Sequence, residues 1–205
     1  MANNNEPKLV HATAFDIGDL GLLTWDPDKK SDLCILSNNN LTAEWGFTKK
    51  TKKKDKYKPV WIPVQSKLRL HSGKFQLDFI IDELAKYQLG IGFMMLWNTG
   101  PDWGFFGYLG SSSTAFAYDP FTGDVVNNTK SIQGGLPNFK AKNRGIVTLS
   151  VNLPRTAKGS AKFIINNIST REIVLPEGTV IMPAACFLKA KQKVSLSNFE
   201  KELYQ

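Results

Sequence analysis

Apolar and polar residues alternate with a period of two along much of this chain. The clearest example is the stretch 74–82, whose apolar face consists of Phe75, Leu77, Phe79 and Ile81. The stretches 147–153 and 161–165 repeat the pattern, and 89–97 is a continuous apolar run. A period of two predicts strands with one buried face, and a short apolar run predicts a strand buried on both faces. These four stretches therefore predict β-structure.

Short polar breaks separate these segments, and Ser37 followed by Asn38, Asn39 and Asn40 is the strongest turn signal. Many short strands divided by Gly, Pro, Asn and Asp predict an all-β fold, an antiparallel two-sheet β-sandwich. Helix signals are weak. The stretch 198–204 is compatible with a short C-terminal helix, with Asn198 as N-cap and acidic residues in its first turn.

The length of 205 residues and the 42% hydrophobic content allow one sizeable domain with a full core. No apolar run reaches 18 residues, so no membrane span is expected. The polar start of the sequence lacks the apolar core of a secretory signal. We therefore expect an intracellular protein, cytoplasmic or nuclear, without a membrane partner.

The formal net charge of +8 is concentrated in one segment. Seven lysines and a single aspartate, Asp55, lie between residues 49 and 58. The lysines are Lys49, Lys50, Lys52, Lys53, Lys54, Lys56 and Lys58. Such a basic loop can contact phosphates or an acidic protein surface, and it resembles a nuclear-import cluster. Lysine lacks the planar fork of arginine, so any nucleic-acid contact would be nonspecific and sensitive to salt.

Residues suited to catalysis or metal binding do not cluster in this sequence. His11 and His71 have no other ligand-type residue at metal-binding spacing. No nucleophile elbow, phosphate-binding loop or dinucleotide motif is present. Cys34 and Cys186 lie in apolar contexts, which predicts two buried thiols rather than a disulfide. We therefore expect no enzymatic activity, no metal and no cofactor.

Several motifs, in this order, resemble a divergent SPRY (B30.2-type) domain. The most informative are Gly159 to Asn166, then the Leu-Pro-x-Gly at 175–178 with Pro183-Ala184, then the Val-x-Leu-x-Asn-Phe at 194–199. Earlier matching segments are 23–37, 72–79, 89–93, 103–124 and 139–147. Two positions depart from the family: Leu77 replaces its usual tryptophan, and Asn143-Arg144 replaces a Gly-Asp pair.

This resemblance implies a concanavalin-like jelly roll over 15–199, with a polar N-terminal extension at 1–14, an inserted basic loop at 48–58 and a tail at 200–205. It also implies a non-enzymatic protein–protein interaction module that holds a partner segment in loops at the sandwich rim. The implied contact residues are Trp97, Asn98, Pro101, Asp102, Trp103, Tyr118 and Asp119.

Two other functions stay open at this point. The chain could be a structural subunit of a viral or ribonucleoprotein particle, with its lysine loop on nucleic acid or an acidic neighbour. A carbohydrate-binding sandwich is the other alternative, because Trp97 and Trp103 bracket a polar loop and could stack on a sugar. Lectin-like and viral jelly-roll folds would give a similar strand pattern.

Overall fold

A computed structural model describes residues 23–46, 61–84, 89–96, 109, 113–139, 144–188 and 192–203. Within those ranges the regular structure consists entirely of β-strands, and every strand pair is antiparallel. The strands form two sheets. The predicted all-β, two-sheet sandwich is therefore confirmed. The predicted extension at 1–14 and the basic loop at 48–58 lie outside the described residues.

Seven strands form the first sheet in the order β1-β4-β14-β6-β7-β8-β9. Their bounds are Trp25–Lys30 (β1), Ile62–Ser66 (β4), Val180–Phe187 (β14), Leu89–Leu96 (β6), Ala115–Asp119 (β7), Asp124–Asn127 (β8) and Lys130–Gln133 (β9).

Eight strands form the second sheet, in the order β12-β11-β10-β5-β15-β3-β2 with β13 also paired to β11. Their bounds are Ile168–Ser169 (β12), Gly159–Ile165 (β11), Gly145–Leu153 (β10), Gly73–Glu83 (β5), Lys193–Glu202 (β15), Thr42–Trp45 (β3), Cys34–Ser37 (β2) and Ile173–Leu175 (β13).

The hydrophobic core lies between the two sheets and is rich in aromatic rings. In β5 and β10 alternate side chains are buried, as the sequence predicts. Rings from the two sheets meet at centroid distances of 6.3 Å for Trp25 with Phe79, and 6.1 Å for Phe93 with Phe163. These aromatic pairs join the two sheets across the core.

Strand β6 is buried on both faces, as its continuous apolar run predicts. One face points into the core. On the other, Met94 belongs to a second apolar cluster that includes Leu109 and Cys186. Close packing also requires Gly92, because a Cβ there would lie 2.0 Å from the carbonyl oxygen of Phe116 on β7.

The predicted C-terminal helix is wrong for the described residues, because β15 continues to Glu202. An extra residue in β15 between Ser197 and Glu200 shifts its pairing with β5, and Asn198 adopts a left-handed φ of 47° there. This bulge turns Phe199 into the core, where its ring stacks on Phe75. Pairing with β5 and burial of Phe199 outweigh the weak local helix preference.

Candidate interaction surfaces at the sandwich ends

The connections between strands gather at two opposite ends of the sandwich. At one, here called the β7–β8 end, β6 begins at Leu89, β7 ends at Asp119 and β14 ends at Phe187. At the other, called the β6–β7 end, β6 ends at Leu96 and β7 begins at Ala115. Antiparallel pairing fixes this arrangement, because neighbouring strands run in opposite directions.

A tight turn at the β7–β8 end is built around the side chain of Asp119, which is only 2% exposed. Its Oδ1 accepts hydrogen bonds from the backbone N–H of Phe121 (2.9 Å) and of Thr122 (3.4 Å). The N–H of Gly123 donates to the Asp119 carbonyl oxygen at 2.9 Å. The turn thus supports Phe121, whose ring stays 39% exposed at the rim.

Burial raises the pKa of the Asp119 carboxyl to about 6. Desolvation is the largest cause, and the nearby carboxylate of Asp124 adds to it. Hydrogen bonds from Phe121 and Thr122 act in the opposite direction, because they favour the charged form. The turn is therefore held by a carboxylate whose charge is costly in the folded protein.

A second segment packs against this turn. The N–H of Phe139 donates to the Pro120 carbonyl oxygen at 2.7 Å, and the N–H of Leu136 donates to that of Gly123 at 3.1 Å. The hydroxyl of the buried Tyr118 donates to the carbonyl oxygen of Pro137. Three hydrogen bonds thus tie the 136–139 segment to the turn, which favours one preformed shape of this rim.

The structure corrects the expected placement of Tyr118 and Asp119. They were expected in an exposed rim loop, but they end strand β7 and are 0% and 2% exposed. Adjacent residues of a strand face opposite sides of the sheet, so Tyr118 packs in the core, 6.3 Å from the ring of Phe163, while the Asp119 carboxylate is enclosed by its own turn. They are placed to support the turn, and Phe121 is the side chain that reaches the surface. The sequence signal for it is an apolar residue between Pro120 and a Gly-terminated turn.

The other expected contact residues, Trp97, Asn98, Pro101, Asp102 and Trp103, lie outside the described residues. The segment that contains them joins Leu96 to Ala115 at the β6–β7 end. The Asp119 turn leaves β7 from the opposite strand end. Strand topology therefore separates Leu96 and Ala115, which border that segment, from the Asp119 turn.

The seven lysines between 49 and 58 also lie outside the described residues. Their segment leaves β3 after Trp45 and enters β4 at Ile62. Trp45 pairs with Cys34 and its N–H donates to the carbonyl oxygen of Gln192, while Ile62 pairs with Phe187. These partners place both ends of the lysine segment at the β7–β8 end.

The outer face of the eight-stranded sheet contains a shallow pocket of about 300 Å³ beside the β15 bulge. Its lining is polar and charged, with both signs present: Lys74, Gln76, Ser150, Asn152, Glu200, Lys201 and Glu202 contribute to it. Nearby, Asp78 accepts hydrogen bonds from Thr148 and Asn198. Phe75 and Val151 also line the pocket.

The cysteines match the sequence prediction, since Cys34 and Cys186 are both buried and unpaired. Burial raises the pKa of each thiol to about 12. In the part of the chain that the structure describes, no three His, Cys, Asp or Glu residues are grouped to hold a metal ion. The described ranges also contain no helix of the length and apolarity needed to cross a membrane.

Solved structures with a similar fold include three that illustrate its range. The SPRY domain of human HERC1 has a TM-score of 0.58 and 15% identity, with 85% of this chain and 97% of that one covered. The PSpry domain of TRIM65 has a TM-score of 0.57 and 11% identity, with 86% of this chain and 92% of that domain covered. Stonustoxin has a TM-score of 0.51 and 16% identity, with 85% of this chain and 27% of the stonustoxin chain covered.

No family model matches this sequence, and no curated protein matches it. At 11–16% identity the structural similarity establishes the fold, which is that of SPRY sandwiches. The SPRY-like architecture predicted from the order of motifs is thus confirmed at the level of the fold.

Proposed function

We propose that this chain is a non-catalytic protein–protein interaction module that binds a partner segment through loops at the sandwich rim. The observation that supports this most directly is the SPRY-like sandwich, whose paired strands carry the connections at its rim. Loops anchored on rigid strands lower the ordering cost of binding, so a modest contact area can give useful affinity.

The contact surface we propose is the β6–β7 connection, with Trp97, Asn98, Pro101, Asp102 and Trp103. Tryptophan provides a large contact area with few rotatable bonds, and it is enriched among residues that dominate binding energy. Tyr118 and Asp119 are not part of this contact surface, because both side chains are buried.

A peptide-display selection against the folded protein tests this proposal. Selected peptides are then measured by calorimetry with wild type, Trp103→Ala and Ile132→Ala. Ile132 is the matched control, because it is an apolar side chain 47% exposed on the edge strand β9. We expect Trp103→Ala to weaken binding by about tenfold or more and Ile132→Ala to leave it unchanged.

Two results would contradict the proposal. One is the absence of any enriched peptide that binds the folded protein. The other is a set of peptides whose affinity responds to Ile132→Ala as strongly as to Trp103→Ala. Circular dichroism and thermal melting of each variant establish that a lost affinity does not come from unfolding.

A further inference from the structure

The outer faces of the two sheets differ in burial. In β6 and β14 of the seven-stranded sheet almost every residue is buried, and Leu109 packs on their outer side, where its N–H donates to the sulfur of Cys186 at 3.1 Å. In β5, β10 and β11 of the eight-stranded sheet, buried residues alternate with residues that keep contact with solvent. The outer face of the eight-stranded sheet is therefore the one that remains accessible to a partner.

An apolar patch lies on this accessible face and is here called the isoleucine patch. Ile80 of β5 pairs directly with Ile146 of β10, and Ile164 of β11 pairs with Thr148, the next outward residue of β10. Side chains in such direct and diagonal positions lie within about 8 Å of one another. Because Ile146 is 49% exposed, burial of the isoleucine patch against a partner would favour association.

A row of polar residues crosses the same face, four residues along β5 from Ile80. Its central members, Gln76 of β5 and Ser150 of β10, are paired with each other. Glu200 of β15 flanks Gln76 on one side, and Lys162 of β11 flanks Ser150 on the other. The ion pairs that the described residues form with one another include neither Lys162 nor Glu200. The row thus has an acid at one end and a base at the other, each one strand from its centre.

We propose that this face binds a second copy of this chain, in a dimer whose two-fold axis runs along the strands between β5 and β10. The sheet order here is β11-β10-β5-β15, so this axis exchanges β5 with β10 and β15 with β11. Packed sheets keep their strand directions within about 30° of each other, so each residue meets one at its own level. Ile80 then meets Ile146 of the second copy, and Lys162 meets Glu200 of the second copy.

The charge arrangement favours a second copy over an unrelated partner. An isologous interface places one surface against itself, so each charge must meet its opposite on that same surface. The row from Glu200 to Lys162 satisfies this condition, because the axis turns one end of the row onto the other. A face with charges of one sign would repel its own copy.

The shallow pocket of about 300 Å³ beside the β15 bulge fits the same arrangement. Glu200, Gln76 and Ser150 line this pocket, so it lies where the second copy would place its Lys162 side chain. A lysine can lay its flexible apolar stem along a surface while its ammonium group reaches a carboxylate. The pocket therefore provides room for the charged contact that the two-fold axis predicts.

The area of the face is sufficient for a dimer of moderate affinity. Four strands spaced by about 4.8 Å, with nine residues rising about 3.3 Å each, give a flat area of about 570 Å² per copy. The relief of the side chains makes the accessible area larger, and standard interfaces bury about 800 Å² per partner. Because most of the face is polar, we expect a dissociation constant of about 10 µM.

This face is distinct from the rim loops of the proposed function, because it consists of strand residues in the eight-stranded sheet. The dimer leaves both ends of the sandwich free for a partner segment. A protein that binds selected peptides but stays monomeric would overturn this inference alone. A dimer that binds no peptide would leave this inference standing and contradict the proposed function.

Sedimentation velocity of the full chain, from about 1 to about 200 µM, measures the equilibrium between monomer and dimer. Ile146→Asp should weaken the dimer about 30-fold or more, because it places a charge against Ile80 of the second copy. Ile132→Asp is the matched control, because Ile132 is 47% exposed on the edge strand β9. We expect this control to leave the dissociation constant within about twofold of wild type. Thermal melting of each variant verifies that it is folded.

Charge reversal tests the two-fold arrangement itself. Lys162→Glu and Glu200→Lys should each weaken self-association about tenfold, because each change creates two like-charge contacts per dimer. Mixed in equal amounts, the two variants should form a heterodimer with nearly the wild-type affinity. In that heterodimer one copy offers two carboxylates to two ammonium groups of the other. Unfolding cannot produce this pattern, since each impaired variant restores association of the other.

Four results would overturn the proposal. A protein that stays monomeric at about 200 µM does not use this face for self-association. Equal weakening by Ile146→Asp and Ile132→Asp would locate the interface elsewhere. Failure of the mixed charge-reversal variants to associate would exclude the two-fold arrangement. A selected peptide that loses its affinity with Ile146→Asp would identify a partner segment, rather than a second copy, as the occupant of this face.

Discussion

Replacing Asp119 by asparagine should stabilise this protein near neutral pH. The carboxylate is buried, and burial raises its pKa from the ordinary 3.8 to about 6. A change of one pKa unit corresponds to about 1.4 kcal/mol, so keeping this group charged costs about 3 kcal/mol in the folded state. Asparagine removes the charge and keeps an oxygen for the N–H groups of Phe121 and Thr122. The Thr122 hydroxyl, which bonds the carboxylate, can accept from the new amide.

The stabilisation should depend on pH with a defined sign. The folded pKa is raised, so the contribution of Asp119 to stability is complete below the unfolded pKa and is lost as pH rises through about 6. Asparagine does not titrate. We expect the variant to be more stable by about 1–3 kcal/mol at about pH 7.5, and this advantage should vanish near pH 4.

Urea denaturation of both proteins at several pH values measures the difference directly. Asp28→Asn is the control for the loss of one negative charge, because Asp28 is exposed. It should change stability by less than about 0.5 kcal/mol. An Asp119→Asn variant that is less stable than wild type at about pH 7.5, or equally altered at every pH, would refute the argument from burial.

Two further predictions concern the same end and the core. Gly123→Ala should cost about 2–3 kcal/mol in urea denaturation, because φ is +77° and a Cβ would lie 2.3 Å from the Leu136 carbonyl oxygen. Gly135→Ala, at φ +72° with open space around it, should cost only about 1 kcal/mol, and equal costs would contradict the clash. Iodoacetamide at about pH 8 should label Cys34 and Cys186 only after unfolding, because burial raises the pKa of each thiol to about 12. Mass spectrometry measures the labelling, and rapid labelling of the native protein would contradict this prediction.

The strands that the sequence predicts most clearly are those in which buried and more exposed positions alternate along nearly the whole strand. In β5 and β10 every second residue faces the core, so apolar and polar residue types alternate along these strands with a period of two. The three asparagines at 38–40 all adopt positive φ, as the turn signal indicates. Asparagine tolerates this left-handed region better than other residues with a side chain, so the turn is a local property.

The helix predicted for the C-terminus failed because the deciding contacts are distant in sequence. Residues 198–202 have capping and charge features of a helix start, but β5, more than 100 residues earlier, offers them a row of backbone partners. The bulge at Asn198 then restores burial for Phe199. The local sequence pattern does not predict the stabilisation that comes from pairing with such a distant strand.

The sequence by itself determined the all-β class, the alternating faces of the long strands, the asparagine turns and the two buried thiols, because each depends on residues close together in the chain. The tertiary structure alone decided that Tyr118 and Asp119 are buried and that Phe121 is exposed. It also decided that the C-terminal ends of β3, β5, β9 and β14 lie at the same end of the sandwich. Sheet order and strand direction fix those placements, and both result from pairing between segments far apart in sequence.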